Sequence, residues 1–339
     1  MRAFICGLAG PKLSDKERHF LGDQQPWGVV LFARNLRNTN QIKALTADIR
    51  ATLDRERVPI LIDQEGGRVQ RICPPLCRAY PAARTYGNLY RRDPVLGVEA
   101  ARLGAKLIGL DLGDFGITVN CMPVLDIPTE GSDAAIGDRA YGNDADTVLT
   151  LGGAAADGLM AAGIMPVMKH LPGHGRAKVD SHKKLPIIET ALARLEETDF
   201  MPFRLWARRI PAGMTAHVVL TAVDDERPAT LSDRVIGGII RRRFGFDGLL
   251  MTDDISMDAL NGPVSERAEK AIRAGCDLVL HCNGDADEMA AVAAAVPELA
   301  GDALRRAEAA FDSTSQPAAH DRKALHARFD DILAQVEAA

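Results

Sequence analysis

The chain lacks the features that mark nucleic-acid-binding and membrane-spanning proteins. Aromatic residues make up only 5% of its 339 residues, and the formal net charge is −5 with acidic and basic residues interspersed. That distribution provides no basic surface for nucleic acid. A membrane-spanning helix needs roughly 18 uninterrupted apolar residues, and Asp157 and Pro297 interrupt the two longest candidates. We therefore expect neither a nucleic-acid partner nor a membrane partner.

Cysteine is also sparse. The six cysteines lie mostly in apolar contexts, which predicts reduced, buried thiols in a cytoplasmic protein rather than a disulfide framework. Cys73 and Cys77 have no second cysteine or histidine pair nearby, which disfavours a zinc site there. The apolar run within the first ten residues is too short for a signal peptide and predicts a first buried strand instead.

The chain does contain a regular succession of short apolar runs, each followed by a polar or glycine-containing loop and a longer helical pattern. Runs that are apolar throughout are typical of parallel strands buried on both faces. The predicted strands are Ala3–Leu8, Gly28–Ala33, Pro59–Asp63, Thr118–Pro123, Met165–His170, Gly213–Val218, Gly248–Thr252 and Asp277–His281. The main predicted helices are Asn40–Arg55, Pro94–Leu110, Ala145–Ala162, Glu189–Arg209, Ser232–Phe244 and Val264–Ala274, with His320–Ala339 as a closing helix.

Eight such units without a break in composition predict an α/β fold, a single (β/α)8 TIM barrel that spans residues 1–339 as one domain. Active sites of these barrels lie at the carboxyl ends of the strands. Polar residues are concentrated at the predicted strand ends, namely Asp63, Asp126, Lys169, His170, His217, Asp253 and Asp254. Each has a structural explanation when taken singly, because a strand-end Asp commonly caps a helix and a lone His217 is more often a satisfied core histidine. Their convergence on one rim predicts a catalytic site.

Asp253 and Asp254 follow the seventh predicted strand. Because side chains alternate along a strand, only one of the two carboxylates is expected to face the barrel centre. A helix-capping role suits Asp254 better than Asp253. A carboxylate at the Asp253 position can attack an electrophilic carbon, stabilise an oxocarbenium ion or bind a cation.

The loop after the fifth strand has the highest density of chemically active residues. It runs from Lys169 through two glycines, Gly173 and Gly175, to Asp180-Ser181-His182. A turn lets Asp180 accept from one ring nitrogen of His182, which makes the imidazole an oriented acid and base near neutral pH. The glycines are expected to supply the φ freedom for the loop to bend over a site.

The same loop admits a second interpretation, in which its histidines bind a metal. Zinc requires three or four converging ligands, and His170, His174 and His182 are the candidates. Lys169 argues against this interpretation, since a fixed cation beside a divalent metal is repelled.

Several ordered motifs resemble glycoside hydrolase family 3, in particular its bacterial β-N-acetylglucosaminidase branch. The loop motif Lys169–Gly175, the Asp180-Ser181-His182 triplet and the block Thr252–Met257 carry the resemblance. Further blocks are similar and occur in the same order: Phe32–Asn35, Ile62–Arg71, Pro123–Asp126 and Gly137–Arg139. The resemblance therefore extends across nearly the whole chain.

The resemblance implies roles for individual residues. Asp253 is implied as the nucleophile, His182 as the general acid/base and Asp180 as the dyad partner of His182. The residues implied to bind the N-acetylglucosamine unit are Asp63, Arg71, Arg139, Lys169 and His170. Gly66 and Gly67 are expected to permit a tight bend, and Arg68 is equally suited to a structural ion pair.

The implied activity is that of a retaining exo-β-N-acetylglucosaminidase that works through a covalent glycosyl-aspartate. Its implied substrates are muropeptide fragments of peptidoglycan recycling, N-acetylglucosamine linked to 1,6-anhydro-N-acetylmuramic acid with or without peptide. No metal or organic cofactor is expected, and a monomer is the expected state. Two alternatives stay open: a phosphorylase or transglycosylase that uses the same intermediate, and a catalytically silent sugar-binding barrel, against which the retention of Asp253, Asp180 and His182 argues.

Overall fold

Eight parallel strands form a closed barrel. The computed structural model describes residues 1–55, 57–181, 183–314 and 321–337. Within these ranges the barrel strands are β1 (Arg2–Gly7), β2 (Pro26–Leu31), β3 (Ile60–Ile62), β4 (Val119–Asn120), β5 (Met165–Leu171), β6 (Ala212–Thr215), β7 (Leu249–Asp254) and β8 (Leu278–His281). Each strand pairs with its neighbours in chain order, and β1 pairs with both β2 and β8, which closes the ring. The predicted (β/α)8 fold is confirmed.

The barrel strands are buried on both faces, which is why their sequences are continuous apolar runs. The parallel register places Val29 beside Ile60, Leu61 beside Val119, and Val119 beside Met165. All five side chains are fully buried. One face of each strand packs inside the barrel and the other against the surrounding helices, so neither face selects polar residues.

The helices surround the barrel. They are Asp15–Gln24, Thr39–Leu53, Ala83–Arg92, Pro94–Asp114, Ala145–Ala161, Leu192–Glu197, Phe200–Trp206, Arg234–Arg243, Val264–Ala274, Ala286–Ala295, Gly301–Asp312 and Arg322–Glu337. Arg234–Arg243 is a wide helix of the π type, with hydrogen bonds that span five residues. In the ranges that the structure describes, no helix has the length and apolar character needed to cross a membrane.

The predicted helix over Glu189–Arg209 is wrong in one respect, because two helices occupy this segment. The first ends at Glu197, and the second begins at Phe200. Pro202 explains the break: proline lacks a backbone N–H and is tolerated in the first turn of a helix but not in its interior. The chain therefore starts a new helix just before Pro202.

A short hairpin follows β3 and carries several side chains toward the barrel mouth. Gln64–Gly66 pairs antiparallel with Val69–Gln70. Gly66 and Gly67, which make the turn, have φ values of 96° and 57°, a region that other residues rarely adopt. A Cβ on Gly66 would lie 2.4 Å from the carbonyl oxygen of Pro81. The tight bend expected at these glycines is thus present.

Candidate active site

The carboxyl ends of the strands surround a cavity of about 480 Å³. Its charged and imidazole lining includes Asp63, Arg68, Arg71, Arg139, Lys169, His170, Asp180, Asp253 and Asp254. Its apolar lining includes Val30, Phe32, Val69, Cys121, Met214 and Leu280. The structure thus brings together every site residue predicted from the sequence except His182, which lies outside the described residues. A concave cavity with a few convergent polar groups is typical of a small-molecule site.

A buried ion-pair network forms one wall of this cavity. Lys169 is almost completely buried, and its Nζ lies 2.8 Å from Asp63 Oδ1 and 2.7 Å from Glu65 Oε1. Arg71 Nη2 donates to Asp63 Oδ2 at 3.2 Å. Arg139 donates to both oxygens of Glu65, at 2.9 and 2.8 Å. Each of the three cations predicted to bind the sugar is therefore paired with a carboxylate.

Charges within the network determine the ionisation of its members. Burial raises the pKa of Asp63, but the charges of Lys169 and Arg71 outweigh that effect and hold the pKa below its usual value. Burial also disfavours the charged form of Lys169, yet Asp63 and Glu65 raise its pKa above the usual value. Both groups are therefore ionised at neutral pH and can make strong, charge-assisted hydrogen bonds to a polar ligand.

Asp253 reaches the cavity from the end of β7. Its Oδ1 accepts a 2.8 Å hydrogen bond from the backbone N–H of Asp254. Burial raises the pKa of the carboxyl, but the His170 ring and this N–H reverse the effect, so the pKa lies below its usual value. Asp253 is therefore a carboxylate at neutral pH, as a nucleophile must be.

Asp254 corrects one expectation, that of a helix cap. Both members of the aspartate pair line the cavity, and the register of β7 against β8 shifts between Met251 and Asp254. The next helix starts only at Val264, so Asp254 does not cap it. Its carboxylate instead accepts from the backbone N–H groups of Ser256 and Cys282 at 3.0 and 3.1 Å, and it stabilises the turn after β7.

His217 is a satisfied core histidine, the more common of the two roles considered for it. The residue is fully buried. Its Nδ1 lies 2.8 Å from Thr230 Oγ1, and its Nε2 lies 2.9 Å from the carbonyl oxygen of Asp254. Burial lowers its pKa, so the ring is neutral, with Nε2–H donating to the carbonyl and Nδ1 accepting from the hydroxyl. His217 thereby supports the backbone beside Asp253.

Asp126 connects His170, which is predicted to bind the sugar, to the start of the loop that follows β5. It is completely buried, and its Oδ2 accepts from His170 Nδ1 at 2.7 Å. Its Oδ1 accepts from the backbone N–H of His174 at 2.7 Å. The contact with Nδ1 fixes the ring orientation of His170, which lines the cavity. Among the described residues no side chain bonds to His170 Nε2, so this nitrogen is available to a ligand.

Two glycines determine the backbone path of the loop that follows β5. Gly173 has a φ of 141°, a backbone conformation that other residues rarely adopt, so the expected conformational freedom is used here. Gly175 serves another purpose than the one expected: its φ is not positive, and a Cβ there would lie 2.2 Å from the carbonyl oxygen of Ile127. Gly175 is therefore needed for close backbone approach. Asp180, farther along the loop, lines the cavity.

Arg68 has the structural role that was its alternative assignment. Its Nε donates to Asp138 Oδ1 at 2.9 Å, and its Nη2 donates to the carbonyl oxygens of Ala134 and Ala135 at 2.7 and 2.6 Å. These contacts join the β3 hairpin to the segment that carries Arg139. Arg68 thus holds two parts of the cavity wall together.

The thiols that line the cavity are not activated as nucleophiles. Cys121 and Cys282 line the cavity. Burial, assisted by the charge of Asp63 near Cys121 and of Asp254 near Cys282, raises the pKa of both thiols above the usual value. They are protonated at neutral pH, and the thiol form is a poor nucleophile. The six cysteines are free, and Cys6, Cys77, Cys121 and Cys276 are buried.

The metal interpretation finds no geometric support in the described part of the chain. No group of three or more His, Cys, Asp or Glu side chains there is arranged to hold a metal ion. The centroids of the His170 and His174 rings lie 5.8 Å apart, and Asp126 already contacts His170 Nδ1. His182, the third candidate ligand, is outside the described residues.

His174 provides a prediction about stability. Burial lowers its pKa to about 4, whereas an unfolded chain binds a proton near pH 6.5. Protons therefore favour the unfolded state between pH 6.5 and 4, and this residue alone is expected to cost about 2 kcal/mol of unfolding free energy between pH 7 and pH 5. Denaturant unfolding of His174→Gln at both pH values should show a smaller acid-induced loss than the parent by about that amount. Equal losses would contradict a buried, neutral His174.

Comparison with known proteins identifies the family. The sequence pattern described as "Glycosyl hydrolase family 3 N terminal domain" matches residues 3–315. The chain belongs to this family. A β-hexosaminidase of Alkalilimnicola ehrlichii is 40% identical over 282 residues, which cover 82% of this chain and 80% of that protein.

Two solved structures of the family are similar to the chain along nearly its whole length. A glycoside hydrolase family 3 β-N-acetylglucosaminidase from Paenibacillus has a TM-score of 0.87 at 31% identity and covers 97% of this chain and 67% of that one. NagZ from Neisseria gonorrhoeae, solved with N-trifluoroacetyl-D-glucosamine, has a TM-score of 0.85 at 32% identity and covers 99% and 97%. The protein is a glycoside hydrolase with hexosaminidase activity.

Glu65 is the residue of the site to which the sequence reasoning gave no role. It lies within the block Ile62–Arg71 and contacts both Lys169 and Arg139. Charge counting could have found it. Three cations predicted for one site, Arg71, Arg139 and Lys169, need more than one carboxylate, and Glu65 is the nearest candidate two residues after Asp63.

Proposed function

We propose that this hexosaminidase is a retaining exo-β-N-acetylglucosaminidase that acts in the cytoplasm on muropeptide fragments. Its substrate is N-acetylglucosamine β-linked to 1,6-anhydro-N-acetylmuramic acid, with or without peptide, in peptidoglycan recycling. The observation that carries the proposal is the position of an ionised Asp253 in the same cavity as the network of Asp63, Arg71, Arg139 and Lys169. The location and the muropeptide substrate come from the family resemblance.

The polar wall of the cavity supports recognition of one terminal sugar. Asp63 accepts hydrogen bonds, Lys169 and Arg139 donate them, and His170 Nε2 can do either according to its tautomer. These groups match the hydroxyls of a pyranose, which both donate and accept. NagZ from Neisseria gonorrhoeae was solved with an N-acylated glucosamine, which supports an amino sugar as the occupant here.

The proposed reaction has two steps. Asp253 attacks the anomeric carbon from the face opposite the leaving group, while His182 donates a proton to the departing oxygen. His182 then removes a proton from water, which attacks the anomeric carbon and releases Asp253 with the original β configuration restored. Asp180, two residues before His182 and at the cavity wall, is proposed to orient the imidazole and favour its charged form.

The proposal predicts strong selectivity for the acetamido sugar. We expect kcat/KM for 4-nitrophenyl β-N-acetylglucosaminide to exceed that for the matching β-glucoside by about 10³-fold or more, because a site that hydrogen-bonds a substrate group discriminates strongly against analogues lacking it. Proton NMR of the first product formed should show the β anomer of N-acetylglucosamine.

Three results would contradict the proposal. Comparable rates on the two sugars would contradict the proposed specificity for the acetamido group. An α anomer as the first product would contradict the proposed covalent intermediate. A sugar 1-phosphate formed on addition of inorganic phosphate would identify a phosphorylase instead. The muropeptide disaccharide itself, assayed in parallel, tests the proposed natural substrate.

A further inference from the structure

Glu65 lies behind the cavity wall rather than on it. The residues that line the cavity include Asp63, Arg139 and Lys169 but not Glu65, and the Glu65 side chain is only 6% exposed. Its carboxylate nevertheless accepts three short contacts, two from Arg139 and one from Lys169. Glu65 is thus poorly placed to contact a ligand but contacts two groups that are well placed to do so.

The two cations depend on Glu65 to different degrees. Lys169 has a second carboxylate partner, Asp63, at 2.8 Å. Arg139 has no other carboxylate among its contacts in the described part of the chain, and its remaining hydrogen bond goes to the carbonyl oxygen of Ala135 at 3.3 Å. The paired bonds from Nε and Nη2 fix the plane of the guanidinium as well as its position. Arg139 is therefore the group whose orientation Glu65 controls most.

The ionisation of Glu65 matches this arrangement. Burial alone raises the pKa of the carboxyl, but the charges of Arg139 and Lys169 lower it to about 2. The carboxylate stays charged across the working range of an enzyme. Removing that charge would leave Arg139 buried without its main partner, which is costly enough to drive rearrangement.

We propose that Glu65 is a positioning residue that holds the guanidinium of Arg139, and secondarily the ammonium of Lys169, in the orientation that receives the terminal sugar. The inference rests on the proposed sugar-binding roles of Arg139 and Lys169. Glu65 acts through these cations and does not touch the substrate. It also balances their charge, so that the wall holds three cations against two carboxylates, Asp63 and Glu65.

The test compares Glu65→Gln with a matched control. Glutamine keeps the shape but loses the charge, and its NH₂ group would face a cation. Glu99→Gln makes the same change in a bidentate pair, since Glu99 accepts from Arg328 at 2.7 and 2.5 Å, but that pair lies exposed on the outer helices. We expect Glu65→Gln to lower kcat/KM for the aryl β-N-acetylglucosaminide by about 10- to 100-fold. Glu99→Gln should stay within about twofold of the parent.

A double-mutant cycle with Arg139→Gln separates positioning from general damage to the fold. If Glu65 acts through Arg139, the double variant should be no slower than the slower single variant by more than about threefold, since interacting residues are not additive. Inhibition by free N-acetylglucosamine should weaken in the same pattern. Glu65→Asp, which stays charged but retracts by one methylene, should show an intermediate loss and replaces Glu65→Gln in the cycle if that variant does not fold.

The outcomes distinguish this inference from the function on which it rests. Full activity of Glu65→Gln, or losses that multiply in the double variant, would overturn the positioning role. If Arg139→Gln itself retains full activity, the sugar-binding role proposed for Arg139 fails, and with it any action of Glu65 through that residue. Lowered activity in Arg139→Gln combined with full activity in Glu65→Gln leaves the proposed function intact and overturns only this inference.

Discussion

Replacing Asp253 by asparagine is expected to abolish nearly all turnover of an aryl β-N-acetylglucosaminide, with kcat reduced by about 10⁴-fold or more. The carboxamide keeps the size of the side chain and can still accept the 2.8 Å hydrogen bond from the N–H of Asp254. It lacks the charge needed to form a bond with the anomeric carbon. Steady-state hydrolysis and thermal unfolding, measured on the same preparation, separate lost chemistry from lost folding.

Asp254→Asn is the matched control for this loss. Asp254 is adjacent in sequence and lines the same cavity, but its carboxylate accepts hydrogen bonds from Ser256 and Cys282 and holds a turn. We expect lower thermal stability in this variant and a kcat within about tenfold of the parent. Equal losses in the two variants would remove the distinction between nucleophile and turn-forming residue.

Covalent trapping identifies the nucleophile directly. A fluorinated N-acetylglucosaminyl donor that slows hydrolysis of the intermediate should label the peptide that contains Asp253, as mapped by mass spectrometry. In Asp253→Ala, added azide can occupy the space left by the carboxylate and is expected to restore cleavage with an α-configured sugar azide as product. A label on Asp254, or a β-configured azide, would contradict the assignment.

The sequence was sufficient for the barrel because its strands face apolar surroundings on both sides. All eight strands were predicted, and the errors are at their ends, as with the predicted Thr118–Pro123, where the strand is Val119–Asn120. The helix Asp15–Gln24 was missed because it is short and polar. A signal was present, however: Ser14 and Glu17 form a capping box, which a search for that motif would have found.

The helix Ala83–Arg92 was missed for a different reason. It contains Gly87, which lowers helix propensity. A Cβ at Gly87 would lie 1.6 Å from the carbonyl oxygen of Tyr141, so the glycine is required by a contact with a residue more than 50 positions away. No local pattern contains that information. The same holds for Gly175, whose small size is set by Ile127 rather than by its own φ.

Part of the candidate site could likewise be predicted from the sequence, and part could not. The positions of Asp63, Lys169, His170 and Asp253 could be predicted because these residues lie at strand ends. A parallel barrel brings the carboxyl ends of all its strands to one rim. Pairings within the rim could not be predicted from strand order. Asp126 and Glu65, for example, lie outside the barrel strands, and they pair with His170 and Lys169 of β5 respectively. The residues were visible in the sequence, but which charges neutralise one another was not.

The last expected result concerns His182 and Asp180. If His182 donates the proton, His182→Ala should slow cleavage by about 10²- to 10⁴-fold when the leaving alcohol is basic. The loss should be much smaller for an acidic phenol, which departs with little protonation. Rates of the first step across aryl and alkyl β-N-acetylglucosaminides give this dependence as a slope. His19→Ala is a matched control, because His19 pairs with Asp23 at 3.1 Å on the exposed surface, and it should leave the slope unchanged.

Asp180→Ala is expected to show the same trend more weakly, since it removes orientation and charge support but leaves the imidazole in place. Loss of a nearby negative charge also disfavours the protonated imidazole, so the alkaline limb of the kcat/KM profile should move to lower pH. Equal losses for all leaving groups in His182→Ala would mean that His182 holds the loop or the sugar rather than transferring a proton. If the alkaline limb of the kcat/KM profile does not move in Asp180→Ala, Asp180 does not influence the protonation of His182. Its role would then be confined to the cavity wall.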